Sequence, residues 1–329
     1  MIENPSVPPV VVLGAGVSGL SSAIELLERG YLVEIWARDL PAATTSAVAG
    51  AVWFPFHAAP ADRVGAWARE TYDRLARLAD DPESGVALCE GVLCDPERTD
   101  ESTWRTAVGE VRATDDGDLP AGRRGVIFAA PIAEMPLYLA FLERRFLDLG
   151  GVLRPRAVES FAEVFAESGR VVNCTGLGAR ELCADAEVYP VRGQLVRLAG
   201  VDLSRWYLDE KGEDGVAYVI PRSADVVLGG TVEPGVEDRT PDPAETEKIL
   251  DRCARLAPAL AGAPVVAENV GLRPGRSAIR LEVEEKEGHA VIHNYGHGGS
   301  GLTLSWGCAR EVADLADRRW GVGQAASGA

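Results

Sequence analysis

The chain has few of the residues that metal centres, disulfide frameworks and membrane spans require. Its 329 residues include only 4 histidines and 6 cysteines, and no two cysteines form a Cys-x-x-Cys pair. We therefore expect no metal site and no disulfide scaffold. Cys89 and Cys94 stand close enough in sequence to leave one disulfide open, but reduced thiols are the expectation in a cytoplasm. No apolar run approaches the roughly 18–20 residues of a membrane helix.

Basic residues are also scarce. The chain has 33 lysines and arginines against 50 aspartates and glutamates, a formal charge of −17. Nucleic acids and anionic membranes need clustered positive charge, so neither is expected as a partner. The first residues lack the basic segment of a signal peptide, and the last, Ala-Ala-Ser-Gly-Ala, are not a Ser-Lys-Leu peroxisomal tripeptide. These features favour a cytoplasmic protein.

The chain opens with the pattern of a strand, a glycine turn, a helix and a second strand. The apolar run at 10–13 leads directly into Gly14-Ala15-Gly16-Val17-Ser18-Gly19. Apolar residues then recur at helical spacing as far as Gly30, and 31–36 reads as the next strand. In a GxGxxG turn the glycines permit the tight turn, the approach of a pyrophosphate and close packing of helix on strand. The pattern predicts a dinucleotide site at the helix N-terminus.

The glycine turn alone does not decide which dinucleotide binds. An NAD site usually has an acidic residue at the end of the second strand. Here Arg38 stands near that place and Asp39 follows it. Arg38 could bind the 2′-phosphate of NADP, lie along the adenosine of FAD, or be a solvated turn residue.

Helical and β patterns alternate along the rest of the chain. Helical spacing is found at 62–80, 136–149, 243–256 and 302–319, and strand-like alternation dominates 187–235. The dinucleotide-like segments lie at both ends and in the middle, which indicates two interleaved domains. We predict an α/β fold in which residues 1–55, 140–185 and 270–329 form a Rossmann-like cofactor domain. Residues 56–139 and 186–269 would form a mainly β (α+β) substrate-binding domain.

A rarer string near the C-terminus narrows the interpretation. It reads HNYGHGGSGLT at 293–303, and it is accompanied by VVNCTG at 171–176, AYVIP at 217–221 and GLRPGRSAIRLE at 271–282. With the glycine motif, these segments resemble the D-amino acid oxidase family, in the family's order and over nearly the whole chain. The resemblance implies a Rossmann-like FAD-binding domain with FAD in an extended form.

The implied reaction is the oxidative deamination of neutral D-amino acids to 2-oxo acids. Ammonia and hydrogen peroxide are the other products, O₂ is the electron acceptor, and hydride passes from the α-carbon to flavin N5. D-Aspartate oxidase or a glycine/sarcosine-type amine oxidase on the same scaffold is the alternative. An NADP-dependent dehydrogenase would leave the C-terminal string unexplained, and a non-catalytic flavin protein would not need the arginine and tyrosine described next.

The family's catalytic roles fall on three positions of this chain. Arg273 would clamp the substrate α-carboxylate, Tyr218 would give it a hydroxyl hydrogen bond, and the Gly299 carbonyl would accept from the amine. Positioning of the substrate then makes a general base unnecessary. His297 is disfavoured as a base because the family uses the backbone of the glycine turn in which it lies.

The resemblance also implies the residues that line the rest of the site. Phe54 and Tyr207 would line the pocket for the substrate side chain. Residues expected to hold FAD are Gly14, Ala15, Gly16, Val17, Ser18, Gly19, Arg38, Asp39, Thr44, Thr45, Ser46, Gly50, Ala51, Val158, Thr175, Gly298, Gly299, Gly301, Leu302 and Thr303.

The chain departs from the mammalian members of the family around the substrate. Asp214, in the short charged segment 210–215, stands where they have a second active-site tyrosine, and Phe54 stands where they have a glutamine. An apolar wall favours neutral, branched or medium-sized D-amino acids, because burying a second carboxylate without a cation is costly. Arg222 is a nearby cation whose direction the sequence does not show. The sequence leaves open whether the protein forms a homodimer.

Overall fold

The computed structural model describes residues 8–56, 58–95, 103–115, 117–120, 123–210, 212 and 214–321. Its strands are β1 Val10–Leu13, β2 Val33–Ala37, β3 Val86–Cys94, β4 Arg112–Ala113, β5 Gly125–Ala133, β6 Val152–Pro155, β7 Arg170–Asn173, β8 Tyr189–Leu198, β9 Trp206–Asp209, β10 Ala217–Pro221, β11 Val226–Gly229, β12 Glu233–Pro234, β13 Val265–Gly275, β14 Arg280–Lys286 and β15 His289–Tyr295. Its helices are α1 Val17–Glu28, α2 Ala61–Leu78, α3 Met135–Asp148, α4 Phe161–Phe165, α5 Ala179–Leu182, α6 Pro243–Leu256 and α7 Gly301–Trp320.

The first sheet has the strand order β14-β15-β7-β1-β2-β6, and all its neighbours are parallel except β14 and β15. Strand β1 lies in the middle and is buried on both faces. Val10 and Val12 pack with residues of α1 and α7, whereas Val11 and Leu13 pack with α4. Burial on both faces explains why β1 reads as a continuous apolar run rather than an alternating one.

The second sheet has nine strands. Eight of them follow the order β12-β8-β11-β10-β9-β3-β5-β4, and the ninth, β13, pairs with β8 along its length. Its pairs are antiparallel except β3 with β9. Helix α6 covers one face, where Ile249 and Cys253 pack with Val219 and Leu228. The opposite face is turned towards the glycine turn of the first sheet, and a cleft lies between them.

The predicted α/β fold with alternating segments is confirmed, while the domain ranges stay a prediction. The proposed boundary at residue 270 falls inside β13, which pairs with β8 as far as Gly275. Helix α2, in the 56–139 segment, packs on α7 and also contacts β3 and β5. The second sheet therefore extends past residue 270, and α2 lies between α7 and the second sheet.

All six cysteines are unpaired. Cys89 and Cys94 are five residues apart on β3, so they face opposite sides of the strand. At about 3.3 Å per residue their Cα atoms are roughly 16 Å apart, well beyond disulfide reach. The described parts of the chain contain no cluster of three metal-ligating side chains and no helix long and apolar enough to cross a membrane.

Candidate cofactor and substrate site

An elongated cleft of about 900 Å³ runs between the two sheets. It begins where β1, β2 and β7 end and continues to the face of β10 and β13. The carboxyl ends of parallel strands are the usual place for a bound nucleotide, and the volume lies in the range of cofactor sites. Among the residues that the resemblance assigns to FAD, all but Gly19 line this cleft.

The glycine turn after β1 is held by close backbone packing. Gly14 has a φ of +102°, and a Cβ atom added there would lie 2.6 Å from the carbonyl oxygen of Cys174. A Cβ at Gly19 would lie 2.0 Å from the Gly14 carbonyl oxygen, so Gly19 supports the turn from behind the cleft. Val17 N donates to Ser46 Oγ at 3.1 Å, which joins the start of α1 to the 44–46 segment. Gly14 and Gly19 thus have separate packing roles, one in the tight turn and one in the approach of helix to strand.

The start of α7 forms the second backbone wall. Two hydroxyls there hold a loop of the cleft: Thr303 Oγ1 accepts from Phe54 N at 3.1 Å and donates to Phe54 O at 3.0 Å. Ser300 Oγ bonds the backbone N and O of Phe56 in the same way, at 2.9 and 2.8 Å. Because the Thr303 hydroxyl is used here, α7 presents mainly backbone N–H groups to the cleft.

These walls fit FAD. Helices α1 and α7 both begin at the cleft, and neither has an acidic residue in its first turn. Their free N–H groups and helix dipoles therefore suit the pyrophosphate and the electron-rich edge of a flavin.

At the end of the cleft beside β2 and β6, sequence reasoning missed two residues. Trp36 lines the cleft and carries the Arg156 guanidinium 4.0 Å above its ring. An aromatic residue at the end of β2 was the available signal. Arg38, 75% exposed, is paired with Asp39 at 2.7 Å and also lines the cleft.

Arg273 and Tyr218 meet at the other end, on the face of the second sheet. The Arg273 guanidinium lies against Gly193 of β8, and its Nη1 donates to the carbonyl oxygen of Thr231, which follows β11, at 3.0 Å. It occupies space that only a glycine leaves free, because a Cβ at Gly193 would lie 2.2 Å from Nη1. Tyr218 is hydrogen-bonded to Arg273, and burial raises the pKa of its phenol against the opposing effect of that guanidinium. The phenol therefore keeps its proton as a donor.

A second glycine makes room for Tyr218. A Cβ at Gly229, its partner on β11, would lie 1.9 Å from the tyrosine ring. Gly193, which lines the cleft, and Gly229, behind the Tyr218 ring, form the floor of this end, and sequence reasoning missed both. The signal was present in the sequence, since glycine inside a strand often marks a close approach by another group.

Gly299 and two phenylalanines complete this end of the cleft. A Cβ at Gly299 would lie 3.1 Å from the Phe56 ring and 3.7 Å from Arg273 Cδ. Phe54 lines the cleft as predicted and packs on Trp104, with the ring centres 6.2 Å apart. The structure therefore brings Arg273, Tyr218, Gly299 and Phe54 together from four separate segments.

The assignment of Tyr207 to the pocket is wrong. Side chains alternate along a strand, so Tyr207 and Leu208 of β9 face opposite sides of the sheet. Tyr207 packs with the cluster under α6, and Leu208 lines the cleft in its place.

Two other polar residues near the site point away from it. Arg222 is 8% exposed and binds Asp225 through Nε at 2.7 Å and Nη2 at 2.9 Å, so it does not reach into the cleft. The Asp214 carboxylate is paired with Arg255 at 2.5 Å. Residues 211 and 213 of the charged segment 210–215 lie outside the described residues.

His297 lines the cleft but is not built as a base. It is 5% exposed, burial lowers its pKa to about 4, and its Nε2 has no hydrogen-bond partner in the described protein. A buried neutral ring with so low a pKa is a weak proton acceptor.

The sequence matches a known protein family over most of its length. A profile of the FAD dependent oxidoreductase family matches residues 9–315, and the chain belongs to that family. FAD is therefore its cofactor.

The similar proteins include D-amino-acid oxidases. One from Rubrobacter xylanophilus is 51% identical over 309 residues, covering 93% of this chain and 95% of that protein. One from Streptomyces coelicolor is 42% identical over 311 residues, covering 93% and 96%. Among solved structures, glycine oxidase from Geobacillus kaustophilus superposes with a TM-score of 0.75 at 22% identity, covering 94% of this chain and 95% of that one, which shows a shared fold.

Proposed function

We propose that the protein oxidises neutral D-amino acids. In the overall reaction, a D-amino acid, O₂ and water give a 2-oxo acid, ammonia and hydrogen peroxide. Bound FAD would supply the two-electron redox chemistry, with O₂ as the final electron acceptor. The observation that carries the proposal is the meeting of Arg273, Tyr218 and Gly299 at one end of the FAD cleft.

Arg273 and Tyr218 would bind the α-carboxylate. A guanidinium forms two parallel hydrogen bonds to a carboxylate, and a protonated phenol adds a third. The contacts of Arg273 with Thr231 and Gly193 fix its fork before substrate arrives. A fixed fork lowers the cost of ordering the bound substrate.

Gly299 would give the site its handedness. Its carbonyl would accept from the substrate amine, so carboxylate and amine together orient the α-carbon. For one enantiomer these contacts leave the hydrogen towards the cofactor, and for the other they place the side chain there. Proton removal by a side chain is then unnecessary, in agreement with the low pKa of about 4 at His297.

The wall around this end of the cleft favours neutral side chains. It includes Leu195, Leu208, Val216, Ile220 and Phe54. A substrate carboxylate buried against such a wall would need a cation. Among the arginines that line the cleft, Arg38 and Arg156 follow β2 and β6, Arg273 is committed to the α-carboxylate, and Arg239 is exposed.

The test combines spectroscopy with a substrate panel. The purified protein should show a flavin absorbance spectrum, and it should produce hydrogen peroxide with D-alanine and D-valine but not with L-alanine. D-Aspartate should have a kcat/KM at least about tenfold below that of D-valine, equivalent to about 1.4 kcal/mol. A tenfold preference for D-aspartate would support the D-aspartate oxidase alternative, and a flavin-loaded protein inert towards all D-amino acids would refute the proposal.

We also propose that the enzyme works in the cytoplasm. The support is its six unpaired cysteines, of which burial raises the pKa of Cys94, Cys174 and Cys253 to about 12. Thiols of this kind suit a reducing compartment.

A further inference from the structure

A chain of hydrogen bonds runs from the FAD cleft across β7 and β15 to the edge strand β14 of the first sheet. Thr175 lines the cleft, and its backbone N and Oγ1 both donate to Asn173 Oδ1, at 3.2 and 2.7 Å. Asn173 Nδ2 lies 3.2 Å from His293 Nδ1, and His293 Nε2 lies 2.8 Å from Glu284 Oε2. Asn173 and His293 are fully buried neighbours on β7 and β15, and neither has a role in the proposed reaction.

The donor and acceptor roles along these hydrogen bonds are fixed by a group that can only donate. The backbone N–H of Thr175 can only donate, so the Asn173 atom facing it must be the oxygen. The Asn173 nitrogen then faces His293, and because an amide nitrogen only donates, His293 Nδ1 must be the acceptor. The ring is therefore neutral, with its proton on Nε2 and pointed at Glu284.

The surroundings of His293 agree with this assignment. Burial lowers its pKa to about 4, with Arg280 acting in the same direction and Glu284 opposing. Arg280 Nη2 donates to Glu284 Oε2 at 3.0 Å, so this carboxylate is held as an acceptor for the ring. The remaining proton on Asn173 Nδ2 is directed at Cys183 Sγ, 3.0 Å away. All the polar atoms of Asn173 and His293 are thereby used.

We propose that Asn173 and His293 are positioning residues for FAD, which hold the Thr175 hydroxyl with its proton turned away from the cleft. Thr175 Oγ1 then offers only lone pairs to the cofactor and accepts a hydrogen bond from a donor group of FAD. If the chain were broken, the hydroxyl would be free to rotate, and the cofactor would lose an oriented acceptor. This inference concerns FAD binding and does not depend on which amino acid is oxidised.

Two substitutions at His293 separate the hydrogen bond from mere packing. In His293→Asn the amide oxygen is bonded to Cγ, as Nδ1 is in histidine, so an acceptor for Asn173 is retained. His293→Gln has no polar atom at that place, although it is closer to histidine in volume. A hydrogen-bonding role predicts that the asparagine variant binds FAD better, and a packing role predicts the opposite order.

The measurement is the dissociation of FAD from the holoenzyme on dilution, followed by flavin fluorescence at equilibrium without amino acid. We expect His293→Gln to raise the Kd for FAD by about tenfold and His293→Asn by less than about threefold. Thr175→Val should match His293→Gln, and Thr175→Ser should behave like the unaltered protein. The double variant Thr175→Val with His293→Gln should be no worse than Thr175→Val alone, because both changes remove the same contact.

Melting temperatures in excess FAD identify variants that fold poorly, and the Thr175 pair keeps the test valid if the His293 variants do not fold. A lower FAD affinity for His293→Asn than for His293→Gln would overturn the inference, as would an unchanged Kd for Thr175→Val. Loss of D-amino acid oxidation with these affinities as expected would count against the proposed function alone.

Discussion

The two ends of the cleft are built in different ways. The cofactor end consists mainly of backbone, supplied by the glycine turn at 14–19 and the start of α7. The substrate end consists of the side chains of Arg273 and Tyr218, laid over Gly193 and Gly229 on a sheet. A backbone site depends on local conformation and tolerates many side-chain changes. A side-chain site depends on a few groups and on the space that their neighbours leave.

The largest effect should follow from removing the charged group of the substrate end. Arg273→Ala should lower kcat/KM for D-valine by on the order of 2–5 kcal/mol, because a charge-assisted bidentate contact is lost. Arg273→Lys should recover only part of it, since lysine lacks the fork. FAD affinity should change little in either variant. Near-normal kinetics in Arg273→Ala would show that the carboxylate binds elsewhere.

Acid should lower the stability of the folded protein through two buried histidines. The pKa values of His293 and His297 are lowered to about 4 in the folded protein, from an ordinary value of 6.5. The unfolded chain therefore binds more protons between these values, so the stability is complete above about pH 6.5 and falls as the pH drops towards 4. Each ring contributes on the order of 3 kcal/mol to this pH-dependent part of the free energy of unfolding.

The pH effect can be assigned by comparing variants. The free energy of unfolding should be measured with urea at about pH 7.5 and about pH 4.5. His293→Asn should lose roughly half of the histidine-dependent difference, because the His297 contribution remains. The same pH dependence in this variant and in the unaltered protein would show that His293 does not remain neutral in the fold.

A smaller effect should follow from filling the floor of the substrate end. Gly193→Ala places a methyl group where the Arg273 guanidinium lies. We expect KM for D-valine to rise, with a loss of about 1–3 kcal/mol in kcat/KM, while FAD binding is retained. Gly109→Ala is the matched control, because nothing lies within 4 Å of a Cβ at that position. Equal kinetics in the two variants would mean that Arg273 can move aside without cost.

The smallest effect should be at the position that sequence reasoning misplaced. Tyr207 faces the α6 side of the sheet, so Tyr207→Phe should leave kcat/KM within about twofold. Leu208→Ala should enlarge the pocket and change the order of preference among D-amino acids. A substrate-dependent change in Tyr207→Phe would return this tyrosine to the site.

The features that could be predicted are those that depend on residues adjacent in sequence. The turn at 14–19 follows from local φ requirements and from the helix that begins within it, and α6 was predicted at its observed bounds. The family resemblance supplied Arg273 and Tyr218 as candidates. It did not supply the reason that they meet, which depends on Gly193 and Thr231.

The sequence by itself determined the glycine turn, the alternation of helices and strands, and the residue types needed for a carboxylate clamp, because each depends on neighbours along the chain. Only the tertiary structure decided that Leu208 rather than Tyr207 faces the cleft, and that Asn173 lies beside His293. The physical reason is that a strand's side chains alternate between two faces, so strand pairing and the position of the cleft decide which of them meet.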